Sequence, residues 1–367
     1  MIQIPYICIK FQTYIFMDLD INIQPIKQSK INTIDFDNLT FGNVFSDYMF
    51  ECDFVDGKWQ TPVIKPYGPL TLDPSARVFH YGQAVFEGMK AFKDDNDALF
   101  LFRPDESFKR INTSAKRLAI PEFPEEYFFN GLKKLLHLET EWIKKGKGNS
   151  LYIRPFVIAT EGAISASPAN QYKFMIICSP SQAYYAGEVR VIFAQEYSRA
   201  ASGGVGFAKA AGNYAAQFYP TSLAHKKGYQ QIVWTDASSH EFLEEAGTMN
   251  IFFRINDTLI TAPTNDRILD GITRKSIIQL AKDYNIDIEV RRVSVSEIKE
   301  AARNGSLKEI FGSGTAAVVN PILGFKHSDD VFELPKITDS FASFFKEKLT
   351  NIQYNTSEDP HGWRYKV

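Results

Sequence analysis

The residues best placed to do chemistry fall in three glycine-bearing segments. In Gly203-Gly204-Val205-Gly206-Phe207-Ala208-Lys209-Ala210-Ala211-Gly212-Asn213-Tyr214, one lysine stands among small residues, where a bulky planar group could approach it. A lysine amine in such a place is a nucleophile toward carbonyl carbon. In Glu244-Glu245-Ala246-Gly247-Thr248-Met249-Asn250-Ile251-Phe252, a carboxylate precedes a small-residue turn and an apolar run. A fixed anion of that kind could keep a pyridine nitrogen protonated. The third is a pair of anion cradles. Leu269-Asp270-Gly271-Ile272-Thr273-Arg274 leads into a helix whose first N–H groups and dipole favour a phosphate. Gly312-Ser313-Gly314-Thr315-Ala316 ends a strand with two glycines and two hydroxyls, the composition of a phosphate nest. Taken singly, each has an ordinary reading as well: a surface lysine, a solvated turn acid, a helix start, a tight turn. A dinucleotide fingerprint fails because Lys209 takes the third glycine position after Gly204-x-Gly206, and a P-loop fails because no Gly-Lys-Ser/Thr follows.

The elements that must position these residues alternate between α and β. Thr61–Ile64 and Ala98–Phe102 read as short strands, Ser107–Leu118 as a helix, and Pro124-Glu125 as the start of another running to about Lys145. Ser150–Ala159 and Lys173–Cys178 are β-rich. Pro, Ser, Gly and Ala then cluster at both ends of residues 179–204, which places an interdomain connection at about 182–200. Beyond it, Asn213–Lys227 looks helical with Pro220 as a kink or a true start. Met249–Arg254 and Thr258–Thr261 look like a hairpin around Asn256-Asp257. Thr273–Tyr284 and Val295–Asn304 read as helices, with a strand at Ile310–Gly314. The expected organisation is an extension at 1–16, a small α/β domain at 17–181, a linker at 182–200 and a larger domain at 201–367.

Bulk properties agree with a two-domain globular chain. Its 367 residues exceed the size at which single cores stop growing, roughly 250–300 residues. Lys+Arg 41 against Asp+Glu 43 gives a net charge of −2, so nothing draws the chain to nucleic acid or an anionic membrane by charge. Cys8, Cys52 and Cys178 are odd in number and widely spaced, which disfavours a disulfide framework and fits a reducing compartment. The histidines include no H-x-x-x-H pair, so no metal site is expected. Met1 to Phe16 is apolar but lacks a basic start and a small-residue cleavage site, and it reads as a disordered or wrongly started extension. The chain is expected to be cytoplasmic, with no part in a membrane.

Together the segments resemble the signature of class IV aminotransferases: Glu245-x-Gly247-x-x-Asn250-Ile251-Phe252, then Leu259-x-Thr261, then Leu269-x-Gly271-Ile272-x-Arg274. The likeness runs from about Phe41 to Pro321. Within the class, Tyr81-Gly82-Gln83-Ala84-Val85-Phe86-Glu87-Gly88-Met89-Lys90-Ala91-Phe92, Leu101-Phe102-Arg103-Pro104, Leu151-Tyr152-Ile153-Arg154-Pro155 and Gly247-Thr248-Met249-Asn250 resemble branched-chain amino acid aminotransferases. The resemblance implies fold type IV: two domains of mixed α/β and α+β structure, with pyridoxal 5'-phosphate in the cleft between them. It also implies a homodimer or an oligomer of dimers, and transamination of leucine, isoleucine and valine with 2-oxoglutarate.

Carried over by position, Lys209 matches the Schiff-base lysine, Glu245 the partner of the ring nitrogen, and Tyr214 the phenol on the ring oxygen. Arg110 matches the phosphate-binding arginine. Gly271, Ile272 and Thr273 match the backbone cradle, and Gly314 and Thr315 the second phosphate turn. Thr315-Ala316 with Tyr81 matches the site for the substrate α-carboxylate. Phe41, Tyr81, Tyr152, Tyr184 and Thr248 match the side-chain pocket. Arg154, with Tyr152, is the expected partner of the second carboxylate of the acceptor, and a salt bridge within the first domain is its other reading. Some members carry C-x-x-C after the Gly-Ser-Gly-Thr turn; here Ala317 and Asn320 stand in its place, which excludes a thiol switch there. D-amino acid transfer, an ω-amine substrate or aminodeoxychorismate cleavage would use the same Lys209 and Glu245. A cofactor-binding module without turnover is the reading from outside enzymology.

Overall fold

The computed structural model describes residues 21–182 and 188–367. The expected extension at 1–16 and Tyr184 lie outside the described residues. Two large sheets carry the fold. The first runs Asn22–Ile23, Val63–Pro66, Tyr48–Val55, Tyr172–Ser181, Ser150–Ala159, Met89–Lys93, Leu99–Phe102, Arg364–Lys366. Its spine is the antiparallel pair Ser150–Ala159 with Tyr172–Ser181, in register from Ser150↔Ser181 to Ala159↔Tyr172. Alternating Leu151, Ile153 and Val157 on one strand, with Phe174 and Ile176 on the other, join a core that takes in Ile111, Phe128, Leu132 and Leu135 from two helices, Pro104–Arg117 and Glu125–Leu138. A glycine inside the second helix has a packing reason: a Cβ at Gly131 would overlap the ring of Phe50 on the sheet.

The second sheet runs Ile288–Val290, Thr258–Thr261, Met249–Ile255, Phe242–Ala246, Gln231–Thr235, Arg190–Phe193, Gly324–His327, Asp330–Glu333, with Leu307–Gly314 and Val318–Ile322 joined to Met249–Ile255. The hairpin at Asn256-Asp257 forms as expected, closing at Ile255↔Thr258 with Asn256 at φ 51°. The helices Ile272–Asp283 and Phe341–Gln353 pack against it around Phe252, Ile277, Phe311 and Phe345.

Several expected boundaries move. Within the expected linker at 182–200, Arg190–Phe193 is a strand of the second sheet, parallel to both neighbours, because Val191 and Phe193 bury one face there while Ile192 is half-buried on the other. The last strand, Arg364–Lys366, returns to the first sheet and pairs with Leu99–Phe102, so residues 201–367 are not one contiguous unit. The helix expected to reach Lys145 stops at Leu138. A 3-10 turn at Thr140–Trp142 follows, and the Trp142 indole donates to Asp47 at 2.9 Å. Asn213–Lys227 is two helices, Ala211–Ala215 and Phe218–Lys226, with Pro220 in the first turn of the second, where its missing N–H costs nothing. No helix of the described residues is long and apolar enough to cross a membrane.

Glu139 ties the end of the second helix to the strand Tyr48–Val55. It is fully buried and accepts from Ser46 Oγ at 2.9 Å, Tyr48 N at 2.5 Å and Asp47 N at 3.4 Å. Burial pushes its carboxyl up to about 7, against the pull of those donors. Between the ordinary value of 4.5 and about 7, the folded chain keeps a proton that the unfolded chain has lost. This group's contribution to stability therefore falls as pH rises through that window. Glu139→Gln, neutral throughout, is expected to flatten the slope of unfolding free energy between pH 5 and 7 by up to about 1.4 kcal/mol per pH unit. Urea titrations at several pH values check this, and an unchanged slope would rule it out.

Candidate active site

Lys209 sits where the two sheets meet. Its backbone N–H donates to Ser114 Oγ at 2.9 Å and its carbonyl accepts from Phe86 N at 3.0 Å, while Ala210 bridges Val85. Ser114 lies on the helix Pro104–Arg117, and Phe86 on the strand Ala84–Phe86. The main chain of the lysine is thus fixed by the first half of the molecule, although the lysine lies in the second half of the sequence. Its Nζ donates to Tyr214 Oη at 2.8 Å and stands 5.0 Å over the ring of Phe86. Tyr214 comes from the short helix Ala211–Ala215, five residues on, so the loop-to-helix turn sets the pair.

Glu245 is not a turn residue. It lies inside the strand Phe242–Ala246, buried, its Cα paired with Asn250 across the tight turn Gly247-Thr248. Its Oε1 is 2.7 Å from Arg199 Nη1 and accepts from Leu269 N at 3.3 Å; its Oε2 accepts from Asn250 Nδ2 at 3.4 Å. Burial pushes this carboxyl up to about 7, and the Arg199 charge draws it back. An acid poised there can hold a proton or share one with a ring nitrogen placed opposite it.

At another wall, Arg110 from the helix Pro104–Arg117 forms a bidentate pair with fully buried Glu87, Nε to Oε1 at 2.6 Å and Nη2 to Oε2 at 2.8 Å. Its Nη1 donates to the Asp270 carbonyl at 3.0 Å, which holds the approach to the helix Ile272–Asp283. Gly271 caps that helix without a side-chain bond, which leaves the first-turn N–H groups of Ile272 and Thr273 free of intrahelical partners. Arg110, Gly271, Ile272, Thr273, Gly314 and Thr315 line one cavity with Lys209, Tyr214, Glu245 and Thr248. Ser313 lines it too, and its buried Oγ has no hydrogen-bond partner. One acid, an amine with a phenol, and an arginine with a helix start and hydroxyls suit a flat heteroaromatic ring with an anionic tail. The orphaned Ser313 hydroxyl is a further donor for such a tail.

A second cavity opens from Lys209, Tyr214 and Thr248 toward Phe41, Phe86, Tyr152, Arg154, Thr315 and Ala316. Phe41 packs edge-on to Tyr152 with centroids 5.0 Å apart. Arg154 Nη2 donates to Tyr152 Oη at 3.1 Å, and its guanidinium lies 4.7 Å over the Phe86 ring. Its Nε is buried without a partner, and among the described residues no carboxylate pairs with it. The salt bridge weighed for Arg154 is therefore absent among the described residues.

Of the expected residues, Tyr81 stands apart. It is 45 % exposed, its hydroxyl donates to the Ile164 carbonyl, and neither cavity includes it. Arg199, Glu87 and Ser114 join the site without having been anticipated. Glu87 lies within the run Tyr81–Phe92 that carries the resemblance, with no role matched to it there. Arg199 lies in the stretch expected to be linker, and its spacing gives no sign of a role.

Gly88 marks a close approach: a Cβ there would overlap the Tyr152 hydroxyl. Gly88→Ala is expected to displace Tyr152 and its bond to Arg154, shifting two groups that line the cavity and raising KM for substrate by about tenfold, equivalent to about 1.4 kcal/mol of binding. Steady-state kinetics check this, and a wild-type KM would exclude it.

The Amino-transferase class IV family model matches residues 84–324. A probable branched-chain-amino-acid aminotransferase of Staphylococcus aureus (strain MRSA252) is 47% identical over 339 residues, 91% of this chain and 94% of that protein. Branched-chain-amino-acid transaminase 1 of Bacillus subtilis (strain 168) is 44% identical, over 90% of this chain and 94% of that protein. Among solved structures, the branched-chain aminotransferase of Thermoproteus uzoniensis with norvaline superposes with a TM-score of 0.71 at 23% identity. It covers 86% of this chain and 98% of that one, which shows the shared fold.

Proposed function

The chain belongs to the class IV aminotransferase family, and on that footing we propose that it moves the amino group between leucine, isoleucine or valine and 2-oxoglutarate, with pyridoxal 5'-phosphate held on Lys209. The observation that carries this reading is the Lys209 amine, 2.8 Å from Tyr214 in a cavity with Glu245 on one wall and Arg110 with a helix start on another. The relatives at 44–47% identity, named as branched-chain aminotransferases, support the substrate class.

When bound, pyridoxal phosphate supplies an electrophilic carbon for the amino group and a cationic ring that takes up the electron pair released at the substrate Cα. The protein supplies the rest. Arg110, the N–H groups of Ile272 and Thr273, and the Thr315 hydroxyl would hold the phosphate. Glu245, its carboxyl raised by burial and drawn back by the Arg199 charge, would share the proton of the ring nitrogen. Tyr214 orients the Lys209 amine and would donate to the ring oxygen. Lys209 Nζ removes the proton from the substrate Cα, a task that needs a flexible amine within reach of that carbon.

One pocket has to take an aliphatic chain and a carboxylate-bearing chain in turn. Phe41, Phe86 and Tyr152 provide apolar walls for the first. Arg154, with no carboxylate partner among the described residues, is free to meet the second. The same reading takes the enzyme as a homodimer, or an oligomer of dimers, in the cytoplasm. Phe79 at 62 % and Ile164 at 72 % exposure offer apolar surface for a second copy, and the unpaired thiols of Cys52 and Cys178 suit a reducing compartment.

Glutamate formation from 2-oxoglutarate is expected with L-leucine as donor and not with D-alanine. Lys209→Ala should lower it by about 10²-fold or more. Faster transfer from D-alanine would overturn the substrate reading, and an active Lys209→Ala enzyme would overturn the mechanism.

A further inference from the structure

Lys90 is an unusual lysine. It lies on the strand Met89–Lys93 of the first sheet, opposite Tyr152 in register, and is only 8 % exposed. Among the described residues it has no carboxylate partner. Its Nζ instead donates to the carbonyl of Ala316 at 2.7 Å, a contact between residues 226 positions apart that crosses from the first sheet to the second. Burial draws its ammonium down to about 8, and Lys346 adds to the effect. A charge in such a place is costly unless something answers it.

The turn that Lys90 grips is itself held against its preference. Thr315, Ala316 and Ala317 connect the strands Leu307–Gly314 and Val318–Ile322, paired at Gly314↔Val318. Val318 closes the turn at φ 60°, in the left-handed region that a β-branched side chain avoids. Strain of this kind persists only where neighbours over-determine the backbone, and it gathers at binding sites. No cis peptide occurs here, so fixing the Ala316 carbonyl fixes the plane of the Ala316–Ala317 peptide and steadies the aim of the neighbouring N–H groups. Thr315, Ala316 and Ala317 all line the cavity that opens from Lys209.

Resting on the function proposed above, we infer that Lys90 is a positioning residue for the substrate α-carboxylate: it clamps the Thr315–Ala316 turn from the opposite sheet and sets an unanswered positive charge behind it. A carboxylate arriving at the turn supplies the missing negative charge. Because the amino acid and the 2-oxo acid both carry that carboxylate, Lys90 acts on both halves of the reaction alike.

The test is calorimetric binding of 4-methylvalerate, an unreactive aliphatic carboxylate, to the cofactor-loaded enzyme and its Lys90→Met and Lys90→Arg variants, with steady-state kinetics beside it. Lys90→Met is expected to weaken 4-methylvalerate about tenfold, the loss of one charge-assisted contact. KM for L-leucine and for 4-methyl-2-oxopentanoate should rise by the same factor, with kcat within about threefold and cofactor loading and melting temperature unchanged. Lys90→Arg should recover most of the affinity. Lys90→Gln, smaller in its change, serves the same comparison if the methionine variant does not fold. Wild-type affinity in Lys90→Met would overturn the inference and leave the function standing, as would a loss that tracks melting temperature and is not rescued by arginine. A wild-type enzyme that binds no 4-methylvalerate would overturn both.

Discussion

The main chain of Lys209 is hydrogen-bonded on both sides to groups from the other half of the molecule, Ser114 Oγ on one and Phe86 N on the other. Everything in the site follows from this seam. A lysine tethered only by its own loop would sweep a large volume. With both backbone groups satisfied by rigid elements, only the side-chain torsions remain, and the bond to Tyr214 restricts those. Ser114 is fully buried, so its hydroxyl belongs to the packed interior of the first half. The core of that half therefore sets the height of the amine, while the second sheet brings Glu245 and the Thr315 turn to meet it. Such preorganisation matters because a misplacement of about 1 Å is enough to cost two orders of magnitude in rate.

Charge around the site is arranged so that some cations are answered and others are not. Glu87 takes up Arg110, and Arg199 takes up Glu245. Buried pairs of this kind add little net stability, and their value lies in fixing where each group points. Lys209, Arg154 and Lys90, by contrast, have no carboxylate at ion-pair distance among the described residues. A phosphate and the carboxylates of a dicarboxylic substrate bring negative charge of the matching kind. The excess of positive charge inside a chain of net charge −2 is local, and it is directed at the ligands.

Glycine and small residues mark where backbone could approach a ligand, and the resemblance to class IV aminotransferases joined those segments to Arg110 and Tyr214. Lys209, Tyr214, Glu245, Arg110, Thr248, Gly271, Ile272, Thr273, Gly314 and Thr315 do come together round one cavity. Their neighbours were less legible. Phe-Leu-Glu-Glu-Ala does not alternate like a half-buried strand, and its glutamates are buried only because Arg199 and Arg267 reach them. Arg199 has no signature, since its partner lies 46 positions on and the loop that carries it is fixed by bonds to the Gly206 and Arg267 carbonyls. The strand Arg364–Lys366 gives no hint from its own residues that it joins a sheet built mostly before residue 182. Tyr81 shows the opposite failure: its motif is evident, yet within one chain its hydroxyl turns to Ile164 and away from both cavities.

The site's chemistry begins with one amine meeting one aldehyde, and the direct measurement is to reduce the pyridoxal-phosphate-loaded protein with borohydride and map the labelled peptide by mass. The pyridoxyl group should be found on Lys209, within the peptide that also contains Tyr214. Label on a different lysine, or none after saturating exposure to the cofactor, would contradict it.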